Sequence, residues 1–413
     1  MIFLQLIVLL NALNILFVTL TFRLFDHLDC GAANRSTLFV EALSKVGHVD
    51  VVSFLPEPLQ SNIEGCDVVR IYPPHHLSKP RAQWGRFERY HKKVRFAFMP
   101  FSPCSHWLPD AGKVAVIDRL MAEKKYDIVA CRYMADALHS GLYKYADRLV
   151  MDVDDHPVSA LKRDLQCNPP SNAFMRWLQN YRAYALGVTV KHFLRKVRVS
   201  FYSNILEPTS SRSIFLHNTM MQEHHIPDIM PDTPLRLLIV GWLGFAPNRE
   251  GALHFAEKVF PKIRQTIPNA ELHIAGKARD KQVTDRLNAI EGVRALGYVD
   301  DIAEEYRQCR VVIVPVYQGA GTSVKFAEGM MMNRPMVATP MGVRGFDTVC
   351  RAGSEYLLAN NDDEFAANVV HLLQSPEEAE TIAHRAYAVG QQNFSRQRFC
   401  EIVADSISKA WIK

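Results

Sequence analysis

Short apolar runs alternate with longer stretches of helical periodicity along the N-terminal half of the chain. The runs are dense in Val, Ile, Leu and Phe, as in strands buried on both faces of a parallel sheet. The predicted strands are residues 14–22, 50–55, 68–72, 128–131, 149–153, 199–202 and 214–216. Strands separated by helices form right-handed βαβ units, so this half is predicted to be a Rossmann-like α/β domain.

The same alternation restarts after residues 220–234, which hold three prolines and no apolar period. Such a composition is typical of a linker. The predicted strands beyond it are residues 235–240, 272–275, 311–315 and 336–338, and the predicted helices are 251–264, 323–332 and 395–411. We therefore expect two domains, residues 1–222 and 235–393, joined by a linker at 223–234 and followed by a terminal helix at 394–413. A kink is expected at Pro261, which removes a helical hydrogen bond.

The first charged side chain is Arg23, and the apolar run before it is long enough to span a bilayer. It lacks a basic beginning and a small-residue cleavage site, so we do not expect a cleaved signal peptide. If residues 14–22 form the first strand, residues 1–13 are too short to cross a membrane alone. We expect an apolar extension or an interfacial anchor, with a transmembrane helix as the alternative.

Composition narrows the class of protein. Of the 413 residues 48% are hydrophobic and 22% charged, which excludes a disordered, collagenous or coiled-coil chain. The eight cysteines are scattered without a C-x-x-C pair, which predicts free thiols in a reducing compartment. Residues 1–230 hold 27 Lys and Arg against 21 Asp and Glu, whereas residues 231–413 hold 21 against 22. The basic excess of the first half suits anionic lipid or phosphorylated substrates better than duplex nucleic acid.

One glycine-rich segment, at residues 319–322, joins a predicted strand end to a predicted helix start. Free backbone amides and the helix dipole favour an anion at such a point, and glycines let a diphosphate approach closely. Lys325 in the first turn opposes the dipole unless an anion neutralises it, and a carboxylate at Glu328 can accept two hydrogen bonds from ribose hydroxyls. By itself such a loop is more often an ordinary βα turn.

The motifs of the second half occur in a specific order. They are PN-x-x-G, AGK, LGYVDD, GAGTSVKFAEGM, RPMVAT and GVRG. This series resembles the nucleotide-sugar domain of the retaining glycosyltransferases of family 4, also called glycosyl transferases group 1. The resemblance covers residues 235–393 well and 14–218 loosely. It implies an α/β protein of GT-B fold, with two Rossmann-like domains whose parallel sheets face across a cleft, and a terminal helix that packs back toward the N-terminal domain.

The resemblance also implies roles for residues. Glu328 would hold the donor ribose, and Lys277 and Arg249 would be catalytic cations at the diphosphate. The other donor-binding residues implied are Gly31, Tyr298, Val299, Gly321, Thr322, Ser323 and Lys325.

Two positions depart from the family pattern. The first glutamate of its E-x₇-E motif falls on Ala320, so any role of that carboxylate in holding the sugar is lost. The arginine and lysine of its first loop are replaced around Trp242 and Glu250, leaving Arg249 as the nearest cation.

A polar cluster, Asp152 and residues 154–156, follows a predicted strand of the first half. It suits acceptor recognition, a DxD-like metal site, or helix capping by Asp154 or Asp155 before Pro157. In the resemblance Asp154 falls where several relatives have an acceptor-side histidine, so Asp154 is a catalytic candidate. Asp155 and His156 are acceptor-side candidates, and no metal ligand is assigned.

Two basic, aromatic stretches, residues 81–98 and 191–199, suit docking on an anionic membrane surface. The alternative is ordinary amphipathic helices packed on their own domain, and nucleic acid is not an expected partner.

The combined expectation is a cytoplasmic glycosyltransferase, peripheral on the inner face of the cell membrane. It would move a sugar from a nucleotide-diphosphate sugar to a glycan or lipid-linked acceptor in cell-surface polysaccharide or glycolipid biosynthesis. The nucleotide sugar would be a co-substrate, with no further cofactor and no metal. The alternatives are a nucleotide-sugar epimerase of GT-B fold and a non-catalytic binding subunit.

Overall fold

A computed structural model describes most of the chain. The described residues are 13–21, 24–25, 31–55, 61, 63–71, 94–167, 169–203, 213–219, 228, 233–318 and 323–411. The chain divides into two compact units, the first comprising residues 1–216 with 399–413 and the second residues 217–398. Most of the predicted linker, and the apolar residues 1–12, lie outside the described residues.

The first unit is built on a seven-stranded sheet. Its strands are β1 (Leu13–Thr19), β2 (Gly47–Ser53), β3 (Cys66–Ile71), β4 (Ile128–Arg132), β5 (Leu149–Asp154), β6 (Val199–Tyr202) and β7 (Ser213–Phe215). Its helices are α1 (Gly31–Ser44), α2 (Pro103–His106), α3 (Ala111–Glu123), α4 (Met134–His139), α5 (Pro157–Cys167) and α6 (Ala173–Leu194), with a 3₁₀ segment at Leu142–Arg148. The strand order is β3-β2-β1-β4-β5-β6-β7, and every pair is parallel.

The second unit carries a six-stranded sheet. Its strands are β8 (Arg236–Val240), β9 (Glu271–Ala275), β10 (Val293–Gly297), β11 (Val311–Val314), β12 (Met336–Ala338) and β13 (Leu357–Leu358). Its helices are α7 (Ala246–His254), α8 (Phe260–Thr266), α9 (Lys281–Asn288), α10 (Ile302–Arg307), α11 (Val324–Met331), α12 (Asp362–Gln374) and α13 (Pro376–Phe394). The order β10-β9-β8-β11-β12-β13 is again wholly parallel. Two parallel-sheet α/β units are therefore confirmed as the fold class.

Alternation along the central strands explains why the sequence shows continuous apolar runs. In β11, Val311 and Ile313 join one core cluster, whereas Val312 and Val314 join another. In β8, Leu237 and Leu238 divide in the same way. Both faces of the sheet are thus covered, so the strand positions on both faces are mostly apolar.

The predicted helix at 251–264 is wrong in its bounds. Helix α7 starts at Ala246, and a π-helical turn at Phe255–Val259 separates it from α8. The turn comes just before Pro261, whose missing N–H interrupts the regular bonding. Strands β10 and β13 are not among the predicted strands, because their short sequences carry little apolar signal.

The last helix, α14 (Arg396–Trp411), contributes residues from Phe399 onward to the first unit. The Arg35 guanidinium lies 5.5 Å from the centre of the Phe399 ring, and Arg198 donates a hydrogen bond to the Ala410 carbonyl. Among the described helices, none combines the length and the apolar character needed to cross a bilayer.

Candidate functional site

In the second unit the strand order reverses between β8 and β11. Ligands of open parallel sheets bind at the carboxyl ends of the strands beside such a switch point. Here the loop after β8 leads into α7, and the segment after β11 leads into α11. The candidate site is this edge of the sheet.

Three neighbouring strand ends are held together by backbone hydrogen bonds. The Gly241 N–H donates to the Ala275 carbonyl (2.9 Å), and the Gly276 N–H donates to the Gly297 carbonyl (2.7 Å). A Cβ atom at Gly276, where φ is +155°, would overlap the carbonyl oxygen of Gly241. The glycine of the AGK motif is therefore required for this close approach, which brings the loops after β8, β9 and β10 to one edge.

Lys325, in the first turn of α11, is directed to the loop after β8. Its Nζ atom donates a hydrogen bond to Oδ1 of Asn248 (2.6 Å), and Nδ2 of Asn248 donates to the Trp242 carbonyl (3.1 Å). A Cβ atom at Gly241 would lie 3.2 Å from Lys325 Nζ, so Gly241 leaves room for the ammonium group. Only 9% of Lys325 is exposed, and this burial lowers its pKa to about 8 against the opposing charge of Glu328. The site thus holds a cation that is poorly solvated.

Glu328 follows Lys325 by one turn on α11. Burial raises the pKa of its carboxyl group, while the Lys325 charge and the Tyr306 hydroxyl act in the opposite direction. The Glu328 side chain is half-buried, and an ionised carboxylate can accept several hydrogen bonds. The position matches the ribose contact that the resemblance implies for Glu328, which stays a prediction.

The other predicted donor residues of this unit differ in their surroundings. The Lys277 side chain is exposed and makes no ion pair with the residues that the structure describes, whereas Arg249 lies 3.7 Å from the Glu250 carboxylate. Tyr298 is exposed at the end of β10, while Val299 packs against the core, so only its backbone is available to a ligand.

The four remaining donor residues predicted from the sequence are Ser323, Gly321, Thr322 and Gly31. Ser323 is the N-cap of α11, and its Oγ atom has no partner within the described part of the chain. Gly321 and Thr322 lie outside the described residues. Gly31 is the first residue of α1 in the first unit.

Sequence reasoning missed two contributors to this edge. Asn248, the asparagine of the PN-x-x-G motif, joins the Lys325 ammonium to the loop after β8. Trp242 is exposed and stacks under Arg279, with 4.8 Å from the guanidinium carbon to the ring centre. The PN-x-x-G motif could have indicated Asn248, because it has a polar side chain near the start of a helix.

The first unit has a charged cluster at the carboxyl ends of β4 and β5. Asp152, fully buried, accepts hydrogen bonds from Nε of Arg35 (2.7 Å) and Nε of Arg132 (2.8 Å). Burial alone would raise the pKa of Asp152, but the two guanidinium charges lower it below its usual value. Because arginines occupy the Asp152 oxygens, a DxD-like metal site involving Asp152 does not fit this structure.

The neighbouring residues of that cluster have separate roles. Asp154, a non-glycine residue at φ +61°, accepts hydrogen bonds from Nη2 of Arg132 (2.7 Å) and from the Tyr133 hydroxyl (3.2 Å). At the start of α5, Nδ1 of His156 accepts a hydrogen bond from the Val158 N–H at 3.3 Å, and helix capping by Asp154 or Asp155 stays a prediction. The ring of His156 is buried and stacks on Tyr202. Asp155 is half-buried, and the acceptor-side roles of Asp155 and His156 stay predictions.

A known protein family matches a large part of the second unit. Residues 234–375 match the family model of glycosyl transferases group 1. A curated protein of Klebsiella pneumoniae, described as an uncharacterized 44.6 kDa protein in the cps region, is 24% identical over 170 residues. That match spans 39% of this chain and 43% of the relative, which is less than half of either protein.

Solved structures match over nearly the whole chain. Sucrose-phosphate synthase from Thermosynechococcus elongatus superposes with a TM-score of 0.61 at 14% identity, covering 94% of this chain and 96% of the other. HepE of Anabaena, solved with UDP and glucose, gives 0.61 at 13% identity, covering 96% and 100%. WaaG, a glycosyltransferase involved in lipopolysaccharide biosynthesis, gives 0.55 at 12% identity, covering 94% and 99%. Residues 234–375 therefore carry a glycosyl transferases group 1 domain, and the chain has the GT-B fold.

Proposed function

We propose that the protein is a glycosyltransferase that moves a sugar from a nucleotide-diphosphate sugar to a glycan or lipid-linked acceptor. The observation that carries the proposal is the Lys325–Glu328 pair, which lies at the switch point of the second sheet with Asn248 against the lysine. A buried cation and a carboxylate one helical turn apart match the two polar parts of a nucleotide donor, its diphosphate and its ribose. The group 1 domain over residues 234–375 supports the same assignment.

In this proposal the leaving diphosphate is stabilised electrostatically. Lys325 and the amides at the start of α11 meet its oxygens, and Lys277 and Arg249 add cations at the same sheet edge. Glu328 accepts hydrogen bonds from the ribose, and the backbone at Tyr298 and Val299 contacts the base. These charges act without a metal ion, and the transfer proceeds with retention, as the likeness to family 4 implies.

The acceptor and the pathway are proposed on weaker likenesses. WaaG is involved in lipopolysaccharide biosynthesis, and the Klebsiella relative is encoded in a cps region. We infer a role in cell-surface polysaccharide or glycolipid synthesis, on the inner face of the cell membrane. Asp154, held by Arg132 and Tyr133 at the sheet edge of the first unit, is the proposed catalytic group on the acceptor side.

The test is a thermal-shift and calorimetric screen with UDP-, GDP- and ADP-sugars, followed by product analysis with a labelled donor. We expect one nucleotide series to bind, and Glu328→Ala to weaken that binding. Transfer of label to a glycan or lipid acceptor, with the anomeric configuration retained, supports the proposal. Conversion of the donor to its epimer identifies an epimerase instead. Binding without turnover on any acceptor identifies a binding subunit, and absence of any nucleotide binding contradicts the site itself.

A further inference from the structure

Helix α6 exposes a stripe of aromatic side chains on the first unit. Phe174, Trp177 and Tyr184 are 67%, 60% and 65% exposed, and Val188 continues the row. Together with the half-buried Tyr181, they recur at steps of three and four residues, which places them on one face of the helix. The opposite face, which includes Leu186 and Val190, is buried in the core of the unit. The stripe is therefore not needed to hold α6 in place.

A second segment extends the stripe. Phe98, Met99 and Phe101 are exposed, with Phe98 82% accessible. The Phe101 ring centre lies 6.5 Å from that of Tyr181 and 6.4 Å from that of Tyr184. On α6 itself the Trp177 and Tyr181 rings are stacked at 5.9 Å. We call the continuous patch the aromatic surface; it consists of Phe98, Met99, Phe101, Phe174, Trp177, Tyr184 and Val188.

The two segments that supply the aromatic surface carry charge of one sign. Residues 89–109 and 165–206, the two segments that supply it, contain ten Lys and Arg and no Asp or Glu. Among the described residues of these segments, the exposed basic side chains are Arg95, Arg176, Lys191, Arg195, Lys196 and Arg198. Exposed aromatic rings with exposed cations on the same two segments complement a surface that is anionic at its outside and apolar beneath.

We propose that the aromatic surface docks the protein on the headgroup region of an anionic lipid bilayer. Trp, Tyr and Phe rings are amphipathic or apolar groups that favour the membrane–water interface, and the exposed cations of the same segments add attraction to anionic headgroups. A second copy of the chain is a poorer occupant, because it would bring the same cations against each other. The surface shares Phe98 and the nearby Arg95 with the predicted stretch 81–98, of which residues 81–93 lie outside the described residues, and its centre is α6. This inference goes beyond the proposed transfer reaction and does not depend on it.

The experiment is flotation of the full chain with vesicles, without any nucleotide sugar. We expect flotation with an equal mixture of phosphatidylcholine and phosphatidylglycerol, weak flotation with phosphatidylcholine alone, and a decrease with added salt. The double variant Trp177→Gln with Tyr184→Gln should lower the partition coefficient about tenfold or more, since two interfacial rings are lost. Arg176→Glu should lower it as well. Phe245→Gln and Arg294→Glu, at exposed sites of the second unit, are the matched controls and should float as the wild type does.

Three results would overturn the proposal. They are no flotation of the wild type with the anionic vesicles, equal flotation of the double variant, and a dimer in light scattering that the double variant dissociates. Circular dichroism and thermal melting check the fold, and Phe98→Gln, on the other segment, gives a second reading if the double variant melts early. Donor binding is measured separately, so a chain that floats but binds no nucleotide sugar contradicts only the proposed function.

Discussion

The Lys325 ammonium donates a 2.6 Å hydrogen bond to Oδ1 of Asn248, a residue 77 positions away in the chain. Lys325 begins the helix after β11, and Asn248 lies in the helix after β8, on the two sides of the switch point. The pair is thus formed where a parallel sheet binds its ligand. Because Lys325 is buried, its protonation at physiological pH depends on what else occupies the site.

The first prediction concerns that protonation. A diphosphate favours the charged form of Lys325, whose pKa is about 8 in the free protein. Affinity for the nucleoside diphosphate should therefore be constant below pH 8 and fall as pH rises above it, by up to about tenfold per pH unit. Calorimetry between about pH 6.5 and about pH 9.5, a range that includes the pKa of Lys325, measures the affinity. Lys325→Met should bind weakly with no such fall, whereas Lys281→Met, an exposed control, should keep the wild-type profile.

Glu328 gives a second prediction. Replacement by Ala removes the acceptor proposed for the ribose hydroxyls, at a cost of about 2 kcal/mol in donor affinity, or about thirtyfold. Isothermal titration with the nucleotide sugar measures the change. Glu291→Ala is a suitable control, because the Glu291 side chain is exposed and pairs with Arg264 on the surface. Unchanged affinity in Glu328→Ala would show that the ribose is held elsewhere.

Lys277 should matter more for turnover than for binding. Its exposed ammonium at the end of β9 is proposed to meet charge that develops on the leaving diphosphate. Lys277→Ala should lower kcat about a hundredfold with a smaller change in donor affinity. Steady-state kinetics with the acceptor found in the screen measure both values, with Lys281→Ala for comparison. Near-wild-type turnover would refute the phosphate role.

Gly276 offers a prediction about stability. An added Cβ would overlap the Gly241 carbonyl, so Gly276→Ala should separate the ends of β8 and β9 and lower the free energy of unfolding by about 3 kcal/mol. Gly353→Ala is the control: Gly353 has φ +80° but nothing within 4 Å of the added Cβ, so only the backbone cost of about 1 kcal/mol remains. Denaturant unfolding of the two variants separates steric overlap from backbone strain. Equal losses would mean that the contact with Gly241 is unimportant.

Asp152 should be the most sensitive charged residue of the first unit. Asp152→Asn removes the fully buried carboxylate between the guanidinium groups of Arg35 and Arg132, leaving only Asp154 near them among the described residues, and should cost about 3–5 kcal/mol. Because its folded pKa is lowered, Asp152 stabilises the protein above about pH 4, and this stabilisation is lost as the pH falls further. Thermal unfolding between neutral and acid pH should show a smaller acid loss in the variant. Asp363→Asn, at an exposed pair with Lys262, should leave the melting temperature nearly unchanged.

Much of the fold could be predicted because its signals are local. Apolar runs located the central strands of both sheets to within a few residues, and glycines marked the loops after β8, β9 and β11. Strands β10 and β13 escaped prediction because they are edge strands with few fully buried positions. The π-helical turn before Pro261 could not be predicted either, because the apolar pattern was interpreted with a single helical period.

The candidate site could be predicted only in part. Motif order singled out Lys325 and Glu328, since a loop and one helical turn contain both residues. It did not identify Asn248 as the partner of Lys325, because the two residues lie on different helices and are 77 positions apart.

The sequence by itself determined the two parallel α/β units, the glycine-rich loops and the charged residues beside them. These features depend on periodicity and backbone preference over a few neighbouring residues. Only the tertiary structure decided that Asp152 lies between Arg35 and Arg132. It also decided that Lys325 is buried and that the aromatic face of α6 is exposed. Those outcomes depend on strand order and on which faces the core covers, so they join residues as far apart as the 117 positions between Arg35 and Asp152.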